Sequence, residues 1–143
     1  MQTYGFHFVG YINGRKDPVI RTYTFKDTET LTKGDMLNLE SGEVDLFATG
    51  GDTGLIGVAN ETKSGTDSTT TIDVIWDMNG MAVYAVYDAN ARNEGALLDI
   101  TGTTGAQTVG ADGDTDLVVV SNSAADEVTY VRSAIRARGE ATS

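Results

Sequence analysis

The chain of 143 residues contains no cysteine, one proline, one histidine and one tryptophan. Without cysteine there is no disulfide framework, no thiolate metal centre and no cysteine nucleophile, and a single histidine excludes a multi-histidine metal site. Positive charge is scarce as well. Ten lysines and arginines stand against 21 acidic side chains, a formal net charge of −11 with a pI near 4.2. Such a body repels phosphate backbones and anionic lipid head groups, so neither a nucleic-acid nor a membrane partner is expected. No window approaches the ~20 apolar residues that cross a bilayer, and residues Met1 to Phe8 lack the basic start and apolar run of a signal peptide, so synthesis in the cytoplasm is expected.

What the chain does contain is turn and strand material. Hydrophobic residues make up 40% of it, enough for one globular domain. Glycine (17 residues) and threonine (20) are abundant while helix formers such as lysine and glutamine are few, a bias toward strands and tight turns. Apolar alternation marks ten runs: Tyr4–Ile12, Val19–Phe25, Met36–Leu39, Val44–Ala48, Leu55–Ala59, Thr71–Trp76, Met81–Tyr87, Leu97–Ile100, Leu117–Val120 and Val128–Val131. The pattern predicts an all-β protein, a β-barrel or jelly-roll-like sandwich of about ten short strands with extended terminal segments.

Asn79-Gly80 between two such runs predicts a type I′ hairpin that places Trp76 opposite Val83, Val74 opposite Ala85 and Ile72 opposite Tyr87 on an apolar face. Asn13-Gly14 predicts a weaker hairpin with Tyr11 facing Lys16, its return strand confined to a sheet edge by Pro18. Short helices are conceivable only at Asp88–Glu94 and Tyr130–Arg138. The long Gly- and Thr-rich stretch Thr101–Asp116 either hides a strand near Gln107–Val109 or forms an exposed loop.

Charge is unevenly distributed. Residues 1–33 hold five basic and three acidic side chains, a net of +2; residues 34–128 hold two against seventeen, a net of −15; residues 129–143 hold three against one, a net of +2. The chain therefore divides into an N-terminal arm or edge hairpin (1–30), a barrel or sandwich body (31–131) and a C-terminal tail (132–143). An acidic body between basic ends fits attachment through those ends.

Motifs that carry chemistry are weak. Asp112, Asp114 and Asp116 alternate like the start of a calcium loop, but Leu117 and Ser123 stand where an EF-hand requires glycine and glutamate. Gly50, Gly51, Gly54 and Gly57 have no following Gly-Lys-Ser/Thr to meet a phosphate. His7 lies in an alternating run as a half-exposed strand residue, and Trp76 falls on the apolar hairpin face. No catalytic constellation, cofactor site or metal site emerges, and the chain reads as a non-enzyme.

The order of segments from Lys33 onward, Lys33-Gly34-Asp35-Met36-Leu37, Gly54-Leu55-Ile56-Gly57-Val58-Ala59, Ile72-Asp73-Val74-Ile75, Leu97-Leu98-Asp99-Ile100 and Thr104-Gly105-Ala106-Gln107-Thr108-Val109, resembles the small capsid decoration (cement) proteins of tailed bacteriophages. The resemblance covers about two thirds of the chain. It implies a β-barrel or jelly-roll-like body, without enzymatic activity or cofactor, that binds the outside of an assembled phage head, commonly as a trimer, and bridges copies of the major capsid protein. Under this reading Tyr4, Phe6 and Phe8 with Arg15, Lys16 and Arg21 form or flank a docking arm, and Arg132, Arg136 and Arg138 supply a second contact. The alternatives are a carbohydrate-binding or adhesion module that stacks sugars on Trp76, and another phage structural component of tail or fibre.

Overall fold

The computed structural model describes residues 4–48, 52, 54–110 and 116–134. The chain is all-β, with thirteen strands among the described residues. Ten follow the alternating runs: β1 Phe6–Tyr11, β2 Ile20–Phe25, β4 Met36–Glu40, β5 Glu43–Leu46, β6 Leu55–Ala59, β8 Thr71–Trp76, β9 Ala82–Tyr87, β10 Leu97–Thr101, β12 Leu117–Ser123 and β13 Val128–Ser133. Three are very short: β3 Glu29–Leu31, β7 Lys63–Gly65 and β11 Thr108–Gly110, the last at the position where a hidden strand was expected.

The strands form two bodies. β2-β5-β4-β6-β8 close into a five-stranded barrel, antiparallel except for the parallel pair β2 and β5, with the β3–β7 ladder as a separate two-stranded sheet. The remaining strands form a six-stranded antiparallel sheet in the order β1-β9-β13-β12-β10-β11. Residues 1–30 are thus divided between the bodies: β1 is an edge of the sheet and β2 a stave of the barrel.

Two apolar cores follow. One fills the barrel with Phe25, Leu37, Val44, Ile56, Ile72 and Val74. The other packs the sheet, through Phe6, Tyr84, Val86, Ile100, Leu117 and Val131, against Met36, Phe47, Leu55 and Val58 from the barrel side. β6 serves both because it is bulged. Leu37 opposes Gly57 while Asn38 opposes Leu55, so Ile56 is an extra residue. The bulge reverses the alternation, sending Leu55 and Val58 to the sheet and Ile56 and Ala59 to the barrel interior. Gly57 is required there: its φ is +148°, and a Cβ would sit 1.9 Å from the Ile75 carbonyl oxygen.

Buried polar groups lock the two bodies together. Gln107 accepts the Met36 N–H at 2.6 Å and donates to the Phe47 carbonyl at 3.1 Å, acting as an extra peptide between sheet and barrel. Asp35 accepts from the Thr32 N–H and the Gly105 N–H. Each bond satisfies a group that burial would otherwise leave costly.

Four expectations are corrected. β8 and β9 do not form a hairpin: β8 pairs with β2 and β6, and β9 with β1 and β13. β9 also presents Ala82, Tyr84 and Val86 to the core, the opposite face from that predicted. β1 and β2 do not pair either, and β2 has neighbours on both sides, so Pro18 lies in the preceding loop and not on an edge strand. Asp88–Glu94 is not helical. The buried Asp88 carboxylate accepts from the Asn90 N–H, Arg92 Nε and Thr129 Oγ1, which holds the segment as an irregular loop. Tyr130–Ser133 belongs to strand β13, and residues 135–143 lie outside the described residues.

Candidate functional site

Between β8 and β9 the chain turns a corner from barrel to sheet. Met78, Asn79 and Gly80 all have positive φ, at 51°, 54° and 89°, a conformation that Asn and Gly adopt most readily. Asp77, fully buried, holds the turn from inside: one carboxylate oxygen accepts the Gly80 N–H at 2.8 Å and the other the Tyr84 hydroxyl at 2.7 Å.

The loop between β1 and β2 is drawn onto this corner. The Tyr11 hydroxyl donates to the Trp76 carbonyl at 2.8 Å and accepts the Val19 N–H at 3.0 Å. The Trp76 N–H donates to the Val19 carbonyl and the Ile12 N–H to the Met81 carbonyl, both at 2.8 Å. Burial pushes the Tyr11 phenol above its ordinary range, so it keeps its proton and remains a donor.

The cations named from sequence gather around the corner. Arg15 and Lys16 are exposed on the loop, with Arg15 Nε donating to the Asp17 carbonyl at 3.1 Å. The Arg21 guanidinium lies 3.5 Å from the centroid of the Trp76 ring, a cation–π contact. It covers one face of Trp76, the surface that a sugar-stacking module presents to its ligand. Trp76 is itself half-buried against the barrel core. Arg132 reaches the corner from β13, donating from Nε to the Gly80 carbonyl at 3.0 Å; it is half-buried and holds the turn. Arg136 and Arg138 lie outside the described residues, as do Asp112 and Asp114. Asp116 is buried and accepts the Ile100 N–H at 3.0 Å. Among the described residues no group of three or more His, Cys, Asp or Glu side chains is placed to hold a metal.

Three aliphatic residues that sequence reasoning did not single out are exposed on this same segment: Val9 at 43%, Ile12 at 52% and Ile20 at 42%. Val9 is turned outward by a bulge between Phe8 and Gly10. The only signal for it in the sequence is the adjacent glycine. Within residues 9–21 the sole acid is Asp17. Acids lie at the far end of each body instead. β2 leads from Ile20 at the corner to Phe25, about 17 Å away at the usual rise per residue, and just beyond it Asp27, Glu40 and Asp45 surround Lys26, with Glu43 across the ladder from Glu40. In the sheet, Asp126 and Glu127 occupy the β12–β13 turn, at the opposite end of β13 from Arg132.

The aromatic residues named from sequence lie apart from the cations. Tyr4, Phe6 and Phe8 line a cleft of about 610 Å³ between the β1 edge and the barrel wall. Phe6 is 1% exposed and belongs to the core, and Phe8 is half-buried with its ring 4.8 Å from that of Tyr11. Tyr4 is 43% exposed. His7 lies on the same strand, half-buried; burial and the nearby Lys33 charge hold its imidazole below the usual range. Set against known proteins, the chain matches no family model and no curated sequence.

Proposed function

We propose that the protein is a structural capsid decoration protein that binds the outer surface of an assembled phage head and stabilises it by bridging copies of the major capsid protein, acting as a homo-oligomer with a trimer favoured. The observation that supports this reading is the composition of the corner. Val9, Ile12 and Ile20 are exposed beside Arg15, Lys16 and Arg21, on a molecule of net charge −11. Exposed aliphatic side chains rimmed by arginine have the make-up of a protein interface. The acidic ends of the barrel and the sheet face away from such a contact and keep decorated heads soluble and mutually repulsive. Binding only the assembled shell raises the shell's resistance to heat through mass action. An interface of about 1,200–2,000 Å² shared between two capsid subunits is within reach of a body this size.

The test is cosedimentation of the protein with bare expanded heads, followed by imaging of the decorated particle. Ile12→Asp and the double change Arg15→Glu with Lys16→Glu are expected to cut occupancy by about tenfold or more, while Glu43→Gln at the acidic end leaves it unchanged. Unchanged occupancy in the corner variants, on protein that melts normally, refutes docking through the corner. Absence of any ordered density on the outer face of the head refutes decoration altogether.

A further inference from the structure

The cleft beside β1 has a second use, and none of the exposed corner side chains Val9, Ile12, Arg15, Lys16, Ile20 and Arg21 lines it. Among the described residues β1 pairs with β9 alone, on one side. On its other side, the Phe6 N–H donates to the Gly34 carbonyl and the Tyr11 N–H to the Arg15 carbonyl, both at 2.8 Å. Both ends of the free edge are therefore closed by the chain itself. In an antiparallel ladder alternate residues direct their backbone groups to the same side. Since the Phe6 N–H points away from β9, the N–H and C=O of Phe8 do so too, and the bulge at Val9 ends the run. Phe8 thus presents a donor and an acceptor at the middle of an edge strand, opening onto the cleft that its side chain lines.

The walls of that cleft define what fits. Phe8 and Ile75 supply apolar surface, and His7, Lys33 and Thr62 supply polar groups. Among the described residues no acidic side chain lines it, although acids outnumber bases about two to one in the chain. The His7 Nε2 atom is buried without a hydrogen-bond partner. Its volume of about 610 Å³ equals that of about twenty waters at the liquid share of each, room for a short run of extended peptide.

We infer that the cleft receives an extended segment of a partner protein, which adds as a short strand to β1 at Phe8 and places an acidic side chain beside Lys33 and His7. Main-chain bonds at Phe8 supply the strand geometry, and the Lys33 ammonium together with the unpartnered His7 Nε2 supplies selectivity. A small anion satisfies only the charge and leaves the Phe8 backbone unmet, so the paired backbone donor and acceptor favour a peptide.

The experiment uses the whole protein, labelled with ¹⁵N, titrated with a blocked five-residue peptide of alternating valine and threonine around a central aspartate. Two control peptides carry asparagine at the centre or N-methyl groups along the backbone, and acetate serves as the small-anion control. Expected are saturable shifts at the Phe8 amide and the His7 ring, weakened about fivefold or more by the asparagine or N-methyl peptide and by Lys33→Glu. Lys33 is exposed and contributes its backbone N–H, not its side chain, to the bond with Thr62, so that variant keeps the fold. No shift at Phe8 with any peptide overturns the inference. Equal binding by the N-methyl peptide overturns the added strand, and shifts reproduced in full by acetate show an anion site only. Because these signals lie away from the corner, failure here leaves head binding untouched, and the reverse also holds.

Discussion

Removing the Asp77 carboxylate is the most direct test of how the corner is built. In Asp77→Ala the Gly80 N–H and the Tyr84 hydroxyl both lose their acceptor, and both residues are buried. A buried donor left unpaired costs about 1–3 kcal/mol. Two such donors cost about 4 kcal/mol, and relief from burying a carboxylate offsets part of this, leaving a net loss near 3 kcal/mol. For a chain of 143 residues the entropy of unfolding is about 0.3 kcal/mol per kelvin, so Tm falls by about 10 °C. Differential scanning calorimetry at neutral pH measures it. Tyr84→Phe removes one donor and leaves the carboxylate its Gly80 partner, so a fall of about 3–5 °C is expected. The double variant is less destabilised than the sum of the two by about 1 kcal/mol, because the second change removes a bond already broken. A drop under about 2 °C in Asp77→Ala, or strict additivity in the double variant, refutes the claim that this carboxylate holds the turn.

Gly57→Ala places a methyl against the Ile75 carbonyl oxygen and is expected to cost about 4 kcal/mol or prevent folding. Gly14→Ala, where a Cβ meets nothing within 4 Å and φ is +95°, costs only its backbone strain of about 1–2 kcal/mol, and circular-dichroism melts compare the two. Glu29 has one buried, unpartnered carboxylate oxygen, and burial, together with Asp27, Asp45 and Asp35, pushes its pKa from 4.5 up to about 7. The folded form holds this proton more tightly than the unfolded chain, so its contribution is complete below pH 4.5 and is lost as pH rises through about 7. Relative to Glu29→Gln the parent protein loses about 1 kcal/mol over that window, the figure reduced because the side chain is only half-buried. Urea midpoints for both proteins at about pH 5 and about pH 8 read the difference, and an equal gap at both refutes it. Arg21→Ala uncovers the only tryptophan; acrylamide quenching of its fluorescence should rise, with a stability loss of about 0.5–1 kcal/mol, and unchanged quenching means that the guanidinium does not shield the ring.

Strand content was readable because alternation is local. Leu55–Ala59 and Thr71–Trp76 coincide with β6 and β8 residue for residue. Pairing was less readable, since it depends on which strand lies alongside. Ile72, Val74 and Trp76 have the right spacing for a hairpin partner on β9, yet the barrel offers Val58 and Tyr23 as neighbours for the same strand. Asn79-Gly80 announces a turn correctly but not its destination. Asp77 holds the turn through which the chain passes from barrel to sheet, a buried carboxylate that accepts from Gly80 and Tyr84, and neither its burial nor those bonds follow from the residue type.

The candidate site was legible in part for similar reasons. Arg15, Lys16 and Arg21 stand out as cations in an acidic chain, whatever the fold. The exposure of Val9 depends on a bulge, and that of Ile12 and Ile20 on how the loop between them meets Met81 and Trp76. None of these is a property of a residue type. Arg132 shows the converse: its charge marked it for docking, and geometry has given it a turn to hold.

All five barrel strands lie between Ile20 and Trp76, whereas β1 pairs with β9, joining His7 to Ala85. As the chain leaves the ribosome, the barrel has all its staves while β1 still waits for its partner, about 80 residues later in synthesis. At about 5–20 residues per second that wait lasts roughly 4–16 seconds. During it the β9-facing edge of β1 is unpaired, and while the stretch from Trp76 to Ala85 is being made every barrel stave is already present and that edge is open to neighbouring chains.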